Sequence, residues 1–112
     1  MSNIKRSLKE LADETYEYLT RIPKGKVVTY GQIAEHLENR GLARVVGHIL
    51  HNNPSEELFP CYKVVNSVGK LAPSFVFGGL DEQKKRLERE GIEVIGDKVD
   101  LEKYRWREFD VT

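Results

Sequence analysis

The sequence predicts a single, mostly α-helical domain with short strands that is organised around a helix-turn-helix. The chain has 112 residues, which is about the length of one domain. Amphipathic helical spacing at 4–22 and again at about 42–52 indicates helices that pack on a common core. The second of these helices follows a shorter helix and a tight turn, which is the pattern of a helix-turn-helix.

Composition and charge exclude several classes of protein. Hydrophobic residues make up 39% and charged residues 32% of the chain, which is typical of a soluble globular protein and not of a disordered one. The 18 basic residues balance the 18 acidic ones, so a surface that binds nucleic acid has to be a local patch. No apolar run approaches the ~18 residues of a membrane span, and the start of the chain lacks the apolar core of a secretion signal. Cys61 is the only cysteine, which excludes an intramolecular disulfide and predicts a reducing, cytoplasmic location.

The first helix is predicted from its apolar stripe and from the residues that end it. Pro23 and Gly25 stop the helix, and a short extended segment follows over 26–28. The side chains of the stripe recur at helical spacing and are Ile4, Leu8, Leu11, Thr15, Tyr18, Leu19 and Ile22.

The predicted helix-turn-helix occupies about residues 30–52. Thr29 and Gln32 match the capping-box pattern, with Thr29 as the N-cap of a short helix that ends near Leu37. A polar turn over 38–41 then leads into the third helix, at about 42–52. One face of this helix is apolar, with Leu42, Val45, Val46, Ile49 and Leu50, and the other carries Ala43, Arg44, Gly47, His48 and His51.

Gly47 makes the polar face of the third helix unusual. Glycine costs a helix about 1 kcal/mol relative to alanine, and its missing side chain permits another surface to approach closely. A plain two-helix hairpin with a solvated basic face is the alternative interpretation of the same pattern.

The second half of the chain is predicted to alternate loops with short regular elements. Asn53 and Pro54 stop the third helix. After them we expect a loop that enters a buried extended segment over 58–66, then a turn at 67–70 and a loop over 72–79 with Phe75 and Phe77 exposed. A charged helix over 81–90 follows, with Gly91 as its C-cap. The chain then forms a hairpin over 92–99 and a terminal helix or ordered tail over 101–109.

Cys61 is the candidate nucleophile. A lone cysteine is most often a small buried hydrophobe, but Cys61 lies between Pro60 and polar neighbours, and Lys63 is placed to lower the pKa of the thiol. His48 and His51 have no accompanying pair of ligands at zinc spacing, so we expect no metal. There is no glycine-rich phosphate loop, and we expect no cofactor.

Five motifs resemble, in order and spacing, those of the O6-alkylguanine-DNA alkyltransferases: GKVVTYGQIAEHL, ARVVG, NP, PCYKVVN, and GGL with EREG. The resemblance covers roughly residues 5–95 and is strongest to the small single-domain members, which include the alkyltransferase-like proteins. It implies one domain over 1–112 with the winged-helix, helix-turn-helix architecture of the alkyltransferase C-terminal domain. It also implies a monomer that enters the minor groove of double-stranded DNA containing O6-alkylguanine and flips the damaged base, with other DNA repair proteins as further partners.

The resemblance assigns catalytic roles to five residues. Cys61 would attack the alkyl carbon of the flipped base in one irreversible displacement, and Tyr30 would donate a hydrogen bond to that base. Asn53 would brace the cysteine turn, and Glu90 would orient the side chain at the next motif position, which here is Tyr62. Without the resemblance, Tyr30 is a core aromatic residue, Asn53 a helix terminator and Glu90 a solvated residue of a last turn.

The resemblance also implies a DNA surface and a base pocket. Arg44 would fill the gap that the flipped base leaves and offset part of the cost of extrusion, which is roughly a few kcal/mol. The implied DNA surface also includes Thr29, Tyr30, Ala43, Gly47, His48, His51 and Lys63. The implied wall of the base pocket consists of Asn66, Ser67, Ser74 and Phe75.

The chain departs from the family in its reactive motif and in its pocket loop. The family has Pro-Cys-His-Arg, whereas this chain has Pro60, Cys61, Tyr62 and Lys63. Histidine titrates near pH 6.5 and accepts a proton at neutral pH, whereas tyrosine, near pH 10, is a poor base. Lysine keeps the charge of arginine but loses its bidentate fork. The loop over 72–77 is longer than is usual in the alkyltransferases, which predicts a pocket that accepts bulky adducts.

Three functions remain open at this point. The first is a single-turnover methylated-DNA–protein-cysteine methyltransferase that uses Cys61, and the second is a sensor that flips O6-alkylguanine and marks it for another pathway. The third is a plain helix-turn-helix regulator, which binds specific sequences and is usually a dimer, but no dimerisation helix is visible in the sequence. Because the cysteine is retained in the family's position, the sequence favours the enzyme over the sensor.

Overall fold

Five α-helices and four two-residue strands make up the regular structure of the described part of the chain, together with two single-turn 3-10 helices. The structure is a computed structural model and describes residues 6–73, 75 and 77–107. Within these ranges, none of the helices combines the length and the apolar character needed to cross a membrane. The predicted fold class, mostly helical with short strands, is confirmed.

Helix α1 spans Leu8–Leu19 and begins at a capping box. The Ser7 hydroxyl accepts a hydrogen bond from the Glu10 N–H, and the Glu10 carboxylate accepts one from the Ser7 N–H. Leu8, which we predicted on the apolar stripe, is 55% exposed, because the stripe reaches the core only from Leu11 onward. Ile4 lies outside the described residues.

Helix α2, Tyr30–His36, is the first helix of the helix-turn-helix. The predicted capping box is confirmed, because Thr29 accepts a hydrogen bond from the Gln32 N–H and the Gln32 carboxamide accepts one from the Thr29 N–H. Strand β1, Val28–Thr29, directly precedes the helix. The residue that caps α2 is therefore also the last residue of a strand, which fixes where the helix starts.

Helix α3, Ala43–His51, is the second helix and packs against α1 and α2. A 3-10 helix over Arg40–Leu42 leads into it, within the turn that we predicted as polar. The Asn39 carboxamide oxygen accepts a hydrogen bond from the Gly41 N–H (2.8 Å) and tightens this turn. The side of α3 that faces the core carries Val46, Ile49 and Leu50, so the predicted helix-turn-helix is confirmed.

A parallel pairing of two strands connects the helix-turn-helix to the second half of the chain. Strand β2, Val64–Val65, lies beside β1, with Val28 opposite Val64. A 3-10 turn over Cys61–Lys63 leads directly into β2. The pairing therefore fixes the cysteine turn at the N-terminal end of a two-residue ladder whose C-terminal end leads into α2.

Helix α4 and a small hairpin form the second half of the fold. The helix spans Gly79–Arg89, so it begins earlier than we predicted, and Gly91 follows its end with a φ of +85°. The predicted hairpin is confirmed, since β3 (Val94–Ile95) pairs antiparallel with β4 (Lys98–Val99). The hairpin packs on α4 through an apolar cluster.

The end of the described chain is ordered against β1. Helix α5 spans Leu101–Tyr104, and the Val27 N–H donates to the carbonyl oxygen of Tyr104 (2.8 Å). The Trp106 N–H donates in turn to the carbonyl oxygen of Val27 (2.8 Å). Residues 108 and 109 of the predicted tail lie outside the described residues.

Two apolar clusters form the core, and one prediction about it was wrong. The first cluster joins α1, α2 and α3 and contains Cys61 and Phe75, and the second joins α4 to the hairpin. Tyr62 packs against both clusters. We predicted Phe75 and Phe77 as exposed, but Phe75 is 7% exposed and Phe77 is half-buried, because the two rings pack edge-to-face with centroids 5.9 Å apart.

Candidate functional site

A small cavity of about 60 Å³ lies beside Cys61, between the helix-turn-helix and the second half of the chain. Helices α2 and α3 line one side of it with Tyr30, Gly47, Leu50 and His51. The cysteine turn, the segment after β2 and helix α4 line the other side with Cys61, Ala72, Phe75 and Gln83. The cavity therefore joins the polar face of α3 to the lone cysteine.

Cys61 is 5% exposed and begins the 3-10 turn before β2. Burial raises the pKa of its thiol, and a hydrogen bond with the Asn53 side chain offsets only part of that rise. The Asn53 Nδ2 also donates to the carbonyl oxygen of Phe59 (2.8 Å), and its Oδ1 accepts from the Ser55 N–H (3.0 Å). Asn53 thus lies at the position from which it can brace the cysteine turn.

Glu90 is the centre of a hydrogen-bonded cluster behind Cys61. Its carboxylate accepts hydrogen bonds from the Tyr62 hydroxyl, from the Lys63 Nζ (2.9 Å) and from the Gly25 N–H (3.0 Å). Burial acts to raise the pKa of Glu90, but the three hydrogen bonds and the Lys63 charge together hold that pKa below its usual value. Glu90 is therefore an ionised carboxylate with three partners and not a solvated residue of a last turn.

Tyr62 occupies the position of the family's motif histidine, but it cannot serve as a base. Burial, the hydrogen bond to Glu90 and the charge of that carboxylate raise the pKa of Tyr62 above its usual value. The phenol is protonated at neutral pH and donates a hydrogen bond to the Glu90 carboxylate. It therefore does not take the proton of the Cys61 thiol.

The predictions that Lys63 contacts DNA and lowers the pKa of Cys61 are wrong. The Lys63 side chain is 3% exposed, and its Nζ donates to the carbonyl oxygens of Pro23 (2.8 Å) and Ile22 (3.3 Å) besides pairing with Glu90. Its charge is balanced inside the domain by a carboxylate. The Cys61 thiol, by contrast, has a raised pKa.

Helix α3 presents the polar face that we predicted. Arg44, His48 and His51 are exposed, and Ala43 and Gly47 are half-buried. Apart from the backbone of its own helix and its two chain neighbours, a Cβ built on Gly47 would meet no described atom within 4 Å. Packing inside the protein therefore gives no reason for a glycine at this position, and the backbone of α3 is open to another surface.

The two residues at the start of α2 have different environments. Thr29 is 4% exposed and its hydroxyl caps the helix, so the prediction that its side chain belongs to the DNA surface is wrong. Tyr30 is half-buried and lines the cavity. Burial raises the pKa of Tyr30, so its phenol is a hydrogen-bond donor at neutral pH.

The structure brings only one of the four residues predicted for the base pocket to the cavity beside Cys61. Phe75 lines the cavity. Asn66 does not, because its carboxamide oxygen accepts two backbone N–H bonds (3.0 and 2.8 Å) within the turn that follows it. Ser67 is exposed in the same turn, and Ser74 lies outside the described residues.

Gln83 is a site residue that the sequence analysis missed. It is 1% exposed, and its Nε2 donates to the carbonyl oxygens of Tyr62 (3.1 Å) and Val64 (3.2 Å) while its Oε1 accepts from the Ala72 N–H (2.8 Å). Gln83 therefore links the cysteine turn and β2 to the segment that begins at Ala72. The available signal was its position on the apolar stripe of α4, at helical spacing from Leu87, because a buried amide needs hydrogen-bond partners.

Tyr16 was also missed, and it braces the loop before the cysteine. Its ring stacks on Phe59 with centroids 5.0 Å apart, and its hydroxyl donates to the carbonyl oxygen of Ile49 (2.6 Å). Helix α1 thereby holds the cysteine loop against α3.

The residues that the structure describes include no group of three histidine, cysteine, aspartate or glutamate side chains that could hold a metal ion. His48 and His51 both lie on the exposed face of α3.

A helix-turn-helix whose second helix opens onto a cavity beside a buried cysteine is the arrangement that the motifs implied, that of an alkyltransferase-type DNA-binding domain. The family model described as "6-O-methylguanine DNA methyltransferase, DNA binding domain" matches residues 10–92. The chain therefore belongs to this family.

Two of the relatives have nearly the same length as this chain, and a third is about three times as long. The DNA base-flipping protein of Vibrio parahaemolyticus is 46% identical over 96 residues, which cover 84% of this chain and 93% of the relative. Alkyltransferase-like protein 1 of Schizosaccharomyces pombe is 35% identical over 103 residues, with 88% and 95% covered. A bifunctional methyltransferase/endonuclease of Picrophilus torridus is 40% identical over 101 residues, but this chain spans only 33% of its length.

Solved structures have the same fold. S. pombe Atl1, in complex with damaged DNA containing O6-carboxymethylguanine, matches with a TM-score of 0.82 at 33% identity, covering 92% of this chain and 99% of that one. Mycobacterium tuberculosis OGT, in complex with DNA, matches with a TM-score of 0.68 at 29% identity, covering 80% of this chain and 52% of that one. The chain thus corresponds to nearly all of the first protein and to about half of the second.

The Glu90 cluster predicts a pH-dependent contribution to stability. Because the pKa of Glu90 in the folded protein lies below its ordinary value of 4.5, its stabilising effect is present above that value and is lost as the pH falls through the folded pKa. We expect Glu90→Gln to be less stable than the wild type at neutral pH, and this difference to shrink between about pH 5 and pH 3. Urea unfolding followed by circular dichroism measures it.

Glu88→Gln, which removes an exposed carboxylate from the same helix, is the matched control for the loss of a charge. A stability difference between the wild type and Glu90→Gln that is as large in acid as at neutral pH would contradict the cluster's role.

Proposed function

We propose that this protein binds double-stranded DNA containing O6-alkylguanine, flips the damaged guanine into the cavity beside Cys61 and holds it there without transferring the alkyl group. The observation that carries the proposal is the continuity between the polar face of α3 and that cavity. Gly47 and His51 belong to both surfaces. Of the two repair functions that the sequence left open, the geometry supports lesion recognition best.

The polar face of α3 has the features that a helix needs in the minor groove. Arg44 is exposed one helical turn before Gly47, so its guanidinium can occupy the space of the flipped base while the helix backbone approaches the DNA at the glycine. Because the chain carries no net charge, this local patch has to supply the phosphate contacts as well.

Alkyl transfer requires a proton acceptor that this site lacks. The sulfur has to form a bond to the alkyl carbon while the bond from that carbon to O6 breaks, and the thiol proton has to go to a base. Burial keeps the pKa of Cys61 high, and the Tyr62 phenol is protonated. The Glu90 carboxylate is paired with Lys63 and accepts a hydrogen bond from the Tyr62 hydroxyl, so it is not free to act on the thiol.

The relatives of similar length support the same function. One is named a DNA base-flipping protein, and the other was solved with damaged DNA containing O6-carboxymethylguanine.

The proposal predicts binding specific to the lesion with no gain in protein mass. The protein is incubated with a duplex containing one O6-methylguanine and with the matched unmodified duplex. Fluorescence anisotropy gives the two Kd values, and intact-protein mass spectrometry detects any transfer. We expect tighter binding to the lesion duplex and an unchanged mass, and Cys61→Ser, as a control, should keep the preference for the lesion.

Two outcomes would contradict this prediction in different ways. Equal binding to the two duplexes would exclude base flipping and favour the plain helix-turn-helix regulator. A gain of one methyl group on Cys61 would establish a repair enzyme.

Slow alkyl transfer is the second candidate function, because Cys61 lines the cavity and a thiolate is nucleophilic even at a small population.

Tyr62→His places a base that titrates near pH 6.5 beside Glu90. We expect this variant to transfer the methyl group at least about tenfold faster than the wild type, since a positioned base contributes roughly 10²–10⁴-fold. Single-turnover mass spectrometry measures both rates. Tyr62→Phe, which removes the hydroxyl without adding a base, is the control, and equal rates for the two variants would show that the missing base does not limit transfer.

Arg44→Ala tests the insertion of the guanidinium into the stack. We expect binding to the O6-methylguanine duplex to weaken about tenfold, because stacking contacts with bases contribute roughly 1–3 kcal/mol each, and binding to the unmodified duplex to weaken less. Lys85→Ala removes the same charge from an exposed position on α4 and is the matched control. An equal loss on both duplexes would make Arg44 a phosphate contact instead.

A further inference from the structure

The cavity beside Cys61 is too small, as it stands, for the base that the proposed function places in it. Its volume is about 60 Å³, whereas an apolar cavity that binds benzene measures about 150 Å³. An alkylated guanine is larger than benzene. The cavity is partly open, so some of the base can stay outside it, but the O6 substituent that reaches Cys61 needs room between the walls. One wall therefore has to move outward for a large substituent, and the walls differ in how easily they do so.

The Phe75 side of the cavity is the wall most able to move. The other walls come from helices α2, α3 and α4 and from the cysteine turn, which the β1–β2 pairing holds. The described residues of 72–78 belong to no helix or strand. This segment ends at Gly78, whose φ of +126° lies in a region that favours glycine.

Arg86 on α4 fastens the Phe75 wall from behind. Its guanidinium carbon lies 5.5 Å from the centroid of the Phe75 ring and 6.0 Å from that of Phe77, which is within the range of cation–π contacts. The guanidinium also pairs with Glu56, in the loop before the cysteine turn, and its Nε donates to Glu82 (3.0 Å). Arg86 is 18% exposed, so it is one side chain that links both irregular segments beside the cavity.

Gln83 makes Arg86 part of a larger arrangement on one face of α4. The two residues are three apart and therefore share a helical face. Gln83 binds the Ala72 N–H (2.8 Å) at the start of the segment, and Arg86 contacts its two aromatic rings. Backbone hydrogen bonds also hold the segment, from the Phe75 N–H to the Ala72 carbonyl oxygen (3.2 Å) and from the Gly79 N–H to the Phe75 carbonyl oxygen (2.8 Å). Of its side-chain attachments, the buried amide of Gln83 holds Ala72 and the partly exposed cation of Arg86 holds the aromatic rings, so the second is the one that yields more easily.

We propose that Arg86 determines which O6 substituents the pocket accepts. A methyl group requires the smallest displacement of Phe75 and preserves most of the Arg86 contacts. A bulky substituent has to displace the ring further and break those contacts, so Arg86 favours small adducts over large ones. The proposal rests on the proposed function, and Arg86 acts in it as a positioning residue that does not touch the base.

The test compares Kd values of Arg86→Met and the wild type for three duplexes, containing O6-methylguanine, O6-benzylguanine or unmodified guanine. Methionine keeps the length of the side chain and removes the charge. We expect the ratio of the benzyl Kd to the methyl Kd to fall about three- to tenfold in the variant, the size of effect that cation–π and ion-pair contacts produce. Glu56→Gln should shift the ratio in the same direction. Arg89→Met, which removes an exposed charge from the same helix, should leave the ratio unchanged.

A purely structural role for Arg86 would weaken binding to both lesion duplexes equally, and an unchanged ratio would overturn this inference alone. Equal binding of the wild type to lesion and unmodified duplexes would overturn the proposed function and this inference together. Urea unfolding establishes that each variant is folded. If Arg86→Met is unfolded, Arg86→Gln, which also removes the charge, and Glu56→Gln decide the question with the same ratio, which has to fall in both.

Discussion

The parallel pairing of β1 with β2 is the contact on which the site depends. It consists of only two residue pairs, but Val28 and Val64 are fully buried, so apolar burial reinforces the ladder. Parallel strands need a crossover connection, and here the helix-turn-helix is part of that connection. The cysteine turn precedes β2 and α2 follows β1, so the two lie at opposite ends of a ladder that is only two residues long, and Tyr30 and Cys61 both line the same cavity.

A second constraint lies behind the cysteine and determines its chemistry. The carboxylate of Glu90 holds Lys63 and the Tyr62 hydroxyl in a buried cluster. Such clusters contribute more to orientation than to net stability, because the cost of removing charges from water offsets much of their attraction. In this protein the Glu90 carboxylate, the Lys63 ammonium group and the Tyr62 hydroxyl pair with one another, and the buried thiol of Cys61 remains neutral.

The sequence was sufficient for features that depend on local contacts. The capping box of Thr29 and Gln32 and the apolar stripe of α3 need only neighbours within one or two helical turns, and both were predicted correctly. Lys63 shows the limit of such reasoning, because its partners are residues 22, 23 and 90, which are far from it along the sequence. The burial of Phe75 likewise depends on contacts outside its own segment, such as that with Arg86 on α4. Asn66 was assigned to the pocket by analogy, although its amide is used in its own turn.

The position of Tyr62 between the two apolar clusters has a consequence for the packing of the domain. Its ring is interior packing for both halves of the domain, and an imidazole at the same place covers less apolar surface. A change from tyrosine to histidine at this position therefore leaves space where the two clusters meet, because an imidazole is smaller than a phenol. The residue at this position thus affects the packing between the two halves of the domain as well as the chemistry proposed for the thiol.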